Sequence, residues 1–507
     1  MHHNRPGDVM SCGPDRGSWA PRLAQEARLR QLEEQLRDED VPIDQLIERA
    51  GLLAALGRPQ DAQQAYLAVL RRAPNHFAAL NDFGTLLYAT GYRAAARTAY
   101  LQAVACHPDE SMGHVNLGNL LLGASEIADA RRHFEAALRL DHDHAQAHRG
   151  LANALAEIGD RRGADRHRRL GFQGRFLTTL PYRGTHPPLP LLVLVSALGG
   201  NIPTASFVDD RIFLSSVLVT EYDDPAVPLP PHRLVFNTIG DADLCRPALR
   251  AAAALLSRTP APVINDPSRV LRTARVANAR RLSTLPGVRT PRMIELPRAT
   301  LTGRAAQAAV ARHGFAFPLL LRSPGFHTGR HFVRVETAAD LSAAASSLPA
   351  GRVLLIEHLN ARGADGNVRK YRAMVIDGRI HPLHVAVSRQ WKVHYFTADM
   401  ADHAEHRTED AAFLDDMTAV LGRPAMAAIE RIRDELDLDY GGIDFGLGPD
   451  GEVLLFEANA TMVVNPPDAD ERWDYRRPAV ARILDAARGM IMRRAAGAAA
   501  IRGAVPA

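Results

Sequence analysis

The sequence predicts a multidomain chain: an all-α superhelical repeat array, then an α/β domain, then an α+β domain. Three observations carry this. At 507 residues the chain exceeds what one hydrophobic core serves. Its first third matches itself at an offset of 34 residues. From Leu191 onward, short apolar runs alternate with polar turns and helical stretches, as in sheets whose strands are joined by helices.

In the repeat register, Gly57, Gly91, Ser125 and Gly159 align. Ala62, Ala96, Ala130 and Ala164 follow, and then Tyr66, Tyr100 and Phe134. Upstream, Leu53, Leu87, Leu121 and Leu155 match, as do Ala50, Gly84, Gly118 and Ala152. Pro74 and Pro108 close the first two units, and His142 stands at the third closing position. A small residue lets the two helices of a unit approach, and the aromatic fills the space beside it. The glycine turns the chain, and the proline stops the second helix. Each pair leaves an apolar face that only the next pair covers, so the units stack around a concave groove.

On these residues, 41–170 resembles the tetratricopeptide repeat, after a tail and lead-in helix in 1–40. The resemblance implies a groove that takes a peptide or protein, or an array that holds a neighbouring domain. After Ala164 the run Arg166-His167-Arg168-Arg169 replaces apolar positions, so the fourth unit is expected to be a cap or a junction.

Composition narrows the function classes. Hydrophobic residues are 46% and charged residues 23%, an ordinary globular balance. No apolar run approaches the ~18 residues of a membrane span, and residues 1–16 lack the apolar centre of a signal peptide. Cys12, Cys106 and Cys245 are scattered and odd in number, which argues against a disulfide framework or a zinc site and fits a reducing cytoplasm. A net charge of +4 is small for this length and gives little reason to expect nucleic acid. The only lysines are Lys370 and Lys392, so a compact ammonium is kept where arginine serves everywhere else.

Residues 171–190, rich in Gly and Pro, are expected to be a linker. Leu191–Ser196 then reads as a buried strand, followed by Gly199-Gly200-Asn201. Leu234-Val235-Phe236 is a second strand running into the polar turn Asn237–Asp241, Arg246–Leu256 a helix, and Val263-Ile264-Asn265 a third strand. Strand, polar turn, helix, strand is the pattern of a parallel sheet with ligand loops at its strand ends.

Further on, Asn265-Asp266-Pro267, Arg275–Leu282 and Leu285–Pro291 precede a series of motifs. Phe317–Arg322 is a strand ending in arginine, and Gly325–Arg330 a glycine-bearing loop suited to phosphate oxygens. Val353–Leu359 is an apolar strand carrying Glu357. Lys370–Gly378 follows, then Ser388-Arg389 and Trp391–His394. Last, Tyr440–Phe445 and Val453–Asn459 are two strands joined through Pro449-Asp450-Gly451. Alternation places Glu457 and Asn459 on one face, and a hairpin brings Asp444 beside them.

In this order the motifs resemble the ATP-grasp superfamily, which includes D-alanine–D-alanine ligase, glutathione synthetase and ribosomal-protein glutamate ligases. The resemblance covers about Leu191 to Arg494. It implies a pre-ATP-grasp α/β domain over 191–290, an α+β ATP-grasp domain over 291–494 and a tail over 495–507. It further implies ATP held by Arg275, Arg322, Gly325, Gly329, Glu357, Leu359 and Lys370. Two Mg²⁺ on Asp444, Glu457 and Asn459 are implied, hard oxygen donors that suit that ion. Arg372, Lys392 and Arg389 are implied to stabilise the transferring phosphoryl group.

The implied reaction joins a carboxylate to an amine, or less often a thiol, through an acyl phosphate. Arg322 stands where the family has lysine and Lys370 where it has aspartate, and Lys392 and His394 replace arginine and asparagine. These departures leave room for a nucleotide-binding regulator or scaffold without turnover. His381, His384, His394, His403 and His406 are read as acceptor-binding or structural groups rather than a zinc site.

Overall fold

The computed structural model describes residues 22–35, 41–325, 331–349, 351–393, 395 and 398–497. They divide into two compact units, one of residues 2–190 and 210–227, the other of 191–209 and 228–507. No described helix is long and apolar enough to cross a membrane.

The first unit begins with α1 (Arg22–Gln35) and continues as four helix pairs. These are α2 (Ile43–Ala55) with α3 (Pro59–Arg72), α4 (Phe77–Ala89) with α5 (Arg93–Cys106), α6 (Ser111–Gly123) with α7 (Ile127–Leu140), and α8 (Ala145–Glu157) with α9 (Arg161–Phe172). Leu53, Tyr66, Leu87, Tyr100, Leu121, Phe134 and Leu155 join one continuous core along the stack. The turn residues Gly57, Gly91, Ser125 and Gly159 all have positive φ, the conformation glycine adopts at no steric penalty.

The arginine-rich end of the fourth unit remains helical. α9 runs to Phe172, buries Ala164, Arg168 and Gly171, and pairs Arg168 Nη1 with Asp165 at 2.7 Å. The stretch expected to be a linker also holds β1 (Leu177–Thr179), which pairs antiparallel with β3 (Phe213–Val219). Residues 210–227, which contain β3, fall in the first unit.

The second unit holds 291–494 and, apart from 210–227, the segment expected over 191–290. β2 (Leu189–Val195), β4 (Leu234–Asn237) and β5 (Val263–Ile264) run parallel, with α10 (Arg246–Leu255) between β4 and β5 and α11 (Pro267–Leu271) after β5. α12 (Arg275–Leu282) and β6 (Val288–Arg289) follow.

An antiparallel four-stranded sheet has the order β7 (Met293–Pro297), β10 (Arg352–Glu357), β8 (Leu319–Arg322), β9 (Phe332–Val335). Leu319 and Leu321 of β8 pack into the core with α13 (Ala306–Arg312) and α14 (Leu341–Ser346). Leu320 packs instead in a separate cluster with Leu354, Phe332, Val276 and Ala279, and period-two alternation puts Arg322 on its face.

A five-stranded sheet runs β12 (Arg379–Ser388), β11 (Val368–Ile376), β13 (Tyr440–Leu447), β14 (Val453–Asn459), β6. Only β6 pairs parallel within it. α15 (Ala404–Asp415), α16 (Met417–Leu421), α17 (Arg423–Leu436) and α18 (Arg477–Ala496) complete the unit.

Candidate functional site

The site is built on the three central strands of the five-stranded sheet. Asp444 on β13 is the direct partner of Arg372 on β11 and of Glu457 on β14. Direct partners on neighbouring antiparallel strands present their side chains on the same face, so the three groups converge. Asp444 is 3% exposed. Its Oδ1 accepts from Arg372 Nε at 2.6 Å, and its Oδ2 from Arg372 Nη2 at 2.8 Å and Lys370 Nζ at 3.0 Å. Burial pushes this carboxyl up, but Arg372 and Lys370 outweigh burial and hold it well below the usual carboxylate range.

One strand over, Glu457 Oε1 accepts from Arg275 Nη2 at 2.6 Å and from Asn459 Nδ2 at 2.8 Å. Burial raises this carboxyl, and the charges of Arg275 and Arg322 overcome the effect and hold it below its ordinary value. Asn459 Oδ1 accepts from both the backbone N and the Oγ1 of Thr461, each at 2.9 Å. Thr461 thereby fixes which end of the amide faces Glu457.

Arg322 arrives from the end of β8, its guanidinium 5.7 Å from the centre of the Phe332 ring. Burial, aided by the charge of Arg275, pushes its pKa down to about 10. Lys392 is lowered by partial burial and then by Arg322.

A small cavity of about 40 Å³, partly open to solvent, adjoins this cluster. Ala279, Leu282, Met293 and Leu455 form apolar parts of its wall, and Asp241, Asp243, Arg275, Glu457 and Asn459 polar parts. Asp241 Oδ1 accepts from the backbone N of Asp243 and Leu244 at 2.9 and 2.8 Å. Asp243 Oδ2 accepts from the backbone N of Arg275 at 3.0 Å. Burial, with the charge of Asp241, weakens the acidity of Asp243. Gly240 is required here, because a Cβ on it would lie 2.7 Å from Thr461 Cγ2 and 2.9 Å from the Ala460 carbonyl carbon.

The structure thus brings together Arg275, Arg322, Lys370, Arg372, Asp444, Glu457 and Asn459, with Lys392 near Arg322. Glu357 is instead tied to the linker into β7: its carboxylate accepts from Arg289 Nη2 at 3.2 Å and the Arg292 backbone N at 3.0 Å. Leu359 is buried. Arg389 is exposed, and its carbonyl accepts from Arg362 Nη2 at 3.1 Å. Gly325 is exposed with φ +81°. Gly329, most of its loop, and His394 lie outside the described residues.

Sequence reasoning missed four contributors: Asp241, Asp243, Thr461 and Asn278, whose Nδ2 donates to the Ala458 carbonyl at 2.8 Å. The signal available for the first two was their place just past the C-terminal end of a parallel strand, β4, where such sheets bind ligands. His384, the register partner of Arg372, is buried. Burial and then the Arg372 charge hold its pKa well below the ordinary histidine value, which makes it a neutral neighbour of the cluster.

Comparison with known proteins bears on the first unit. The tetratricopeptide repeat family model matches residues 47–111 and 115–160. Among solved structures, the chain is similar to MamA 41-end from Desulfovibrio magneticus RS-1, with 27% identity over 29% of this chain and 82% of that one, at a TM-score of 0.27. It is similar to a MamA RS-1 double mutant at 26% identity, covering 30% and 85%, TM-score 0.28. Pseudomonas aeruginosa pilF shares 24% identity over 30% of this chain and 70% of that one, TM-score 0.28. No curated protein matches the chain. The N-terminal helix pairs are tetratricopeptide repeats, and the region after them is mixed α/β with several sheets.

Proposed function

We propose that residues 191–494 form an ATP-grasp-type ligase that uses ATP to join a carboxylate to an amine, and that the repeats hold a peptide or protein partner. One observation carries the reading: Asp444 and Glu457 sit opposite each other on adjacent strands among Arg275, Arg322, Lys370 and Arg372. The guanidinium groups and the ammonium of this cluster are donors of the kind that bind phosphate oxygens. The cavity beside them supplies apolar wall, from Ala279, Leu282, Met293 and Leu455, against which a base can pack.

Phosphoryl transfer depends on positioning and charge neutralisation more than on a nucleophilic side chain. In this reading Arg275 and Arg322 hold phosphate oxygens. Arg372 and Lys370, with Lys392 and Arg389 from the segment after β12, neutralise the charge that develops on the transferring group. Asp444, Glu457 and Asn459 offer hard oxygen donors that fit Mg²⁺, which when bound would neutralise further phosphate charge. The fit requires an exchange at each ligand: both Asp444 oxygens already accept from Arg372 or Lys370, Glu457 Oε1 from Arg275, and Asn459 Oδ1 from Thr461. Those cations are then free to turn toward phosphate.

The same occupied carboxylate favours a second reading, in which the domain binds nucleotide as a regulator or scaffold without turnover. Arg322 and Lys370, the departures from the family pattern, point the same way. The two separate by measuring ADP release from ATP by the full chain with paired carboxylates and amines, and with hydroxylamine as a general nucleophile. Release that depends on a carboxylate and is lost in Arg372→Ala and Lys392→Ala supports ligation. ATP binding without ADP release under any pairing selects the regulator.

A further inference from the structure

A second cluster of metal-ligating side chains stands at the start of α15. His403 precedes the helix in an extended conformation (φ −116°, ψ 109°), and Glu405 and His406 occupy its first turn. Residues three apart at a helix start share a side, and the rings of His403 and His406 lie 4.6 Å apart between centroids. His403 Nδ1 is 2.8 Å from Glu405 Oε1. One ligand atom from each of His403, Glu405 and His406 lies within 4.8 Å of the other two.

The burial pattern is uneven in an informative way. His403 and Glu405 are exposed, whereas His406 is only 5% exposed. Nδ1 of His406 is buried and has no hydrogen-bond partner among the described residues. A buried polar atom left unpaired costs free energy and calls for a cause. A cause that also explains two imidazoles packed ring against ring beside a carboxylate is a shared cation, held by neutral ring nitrogens and a carboxylate oxygen. The nearby carbonyls of Met400 and Ala401 are taken by Arg407 Nη1 at 2.9 and 2.8 Å.

We propose that His403, Glu405 and His406 bind one divalent transition-metal ion, with a fourth position open to water. Two imidazoles and one carboxylate are the ligand types of Zn²⁺ and its neighbours in the series, not of Mg²⁺ or Ca²⁺. The ion ties the residue before α15 to the first turn of that helix, and so braces the connection from β12 that carries Lys392. The proposal is independent of the ligase reading.

The test uses the full chain, stripped with a chelator and titrated with Co²⁺, whose visible absorption reports a site with few ligands. The expected band saturates at one equivalent, is displaced by Zn²⁺ and not by Mg²⁺, and persists in Glu457→Gln. The exposed substitutions His403→Ala and Glu405→Gln each weaken Co²⁺ binding by about tenfold or more, and His406→Ala abolishes it. Absence of a band in the wild type overturns the proposal. A band that keeps its affinity in both exposed variants does the same, even if His406→Ala fails to fold.

Discussion

Asp444 combines near-complete burial with two cationic partners, Arg372 and Lys370, that are themselves largely buried. Deleting one member of such a group leaves the others charged and unpaired, at roughly 3–5 kcal/mol. Asp444→Ala is therefore expected to lower unfolding stability by that order in urea melts, and Asp444→Asn by less, since its amide oxygen still accepts. The pH dependence follows from the same contacts. The folded carboxyl lies below its ordinary value of 3.8. A depressed acid adds stability that is complete above about pH 5 and is lost progressively as pH falls toward the folded value. The wild-type urea midpoint should drop with pH in that acid range, and Asp444→Asn should flatten the drop.

Asp444, Glu457 and Asn459 were legible in the sequence because strand alternation fixes the faces of residues two apart and a short turn fixes which strands meet. Asp241 and Asp243 were not, because their place depends on Arg275, which reaches Glu457 across 182 positions of sequence. Glu357 resembled a base-binding residue by its strand position alone, and its carboxylate is held by Arg289 and the Arg292 backbone.

Among the elements, the repeat helices were the most legible, for a steric reason. Cβ atoms placed on Gly118 and Gly150 would lie 2.8 and 2.2 Å from Phe134 Cε1, and one on Gly84 2.6 Å from Tyr100 Cε1. Close approach around an aromatic forces small residues into a fixed register, and a fixed register is visible as a period. Ser125 is the exception in the turn series, with φ +70° where its three counterparts are glycine. Left-handed backbone is strained for serine, and glycine carries a larger entropy loss on folding, so Ser125→Gly is expected to stabilise the array by about 0.5–1 kcal/mol. A higher urea midpoint for the repeat transition is the readout. The arginine run of α9 hid a helix because Arg168 pairs with Asp165 while buried. The strand pair β1–β3 was hidden because it joins a Gly- and Pro-rich stretch to residues about 40 positions away.

Across the whole molecule, the two-part character of the chain could be read from composition and period, whereas sheet order could not. β6 pairs with β14 through Val288 and Val453, and such distant pairing leaves no local trace. Function divides along the same line. The repeats supply a recognisable array whose partner is not written in it, and the α/β region supplies a charged cleft whose ligand can be argued from its donors. The central claim is that the cluster around Asp444 and Glu457 is a magnesium–nucleotide site. Calorimetric titration of the full chain with ATP, with and without Mg²⁺, tests it most directly. Binding is expected to require Mg²⁺ and to be lost in Glu457→Gln and Asn459→Ala while both variants stay folded. Absence of ATP binding by the wild type, or binding unchanged in both variants, would contradict it.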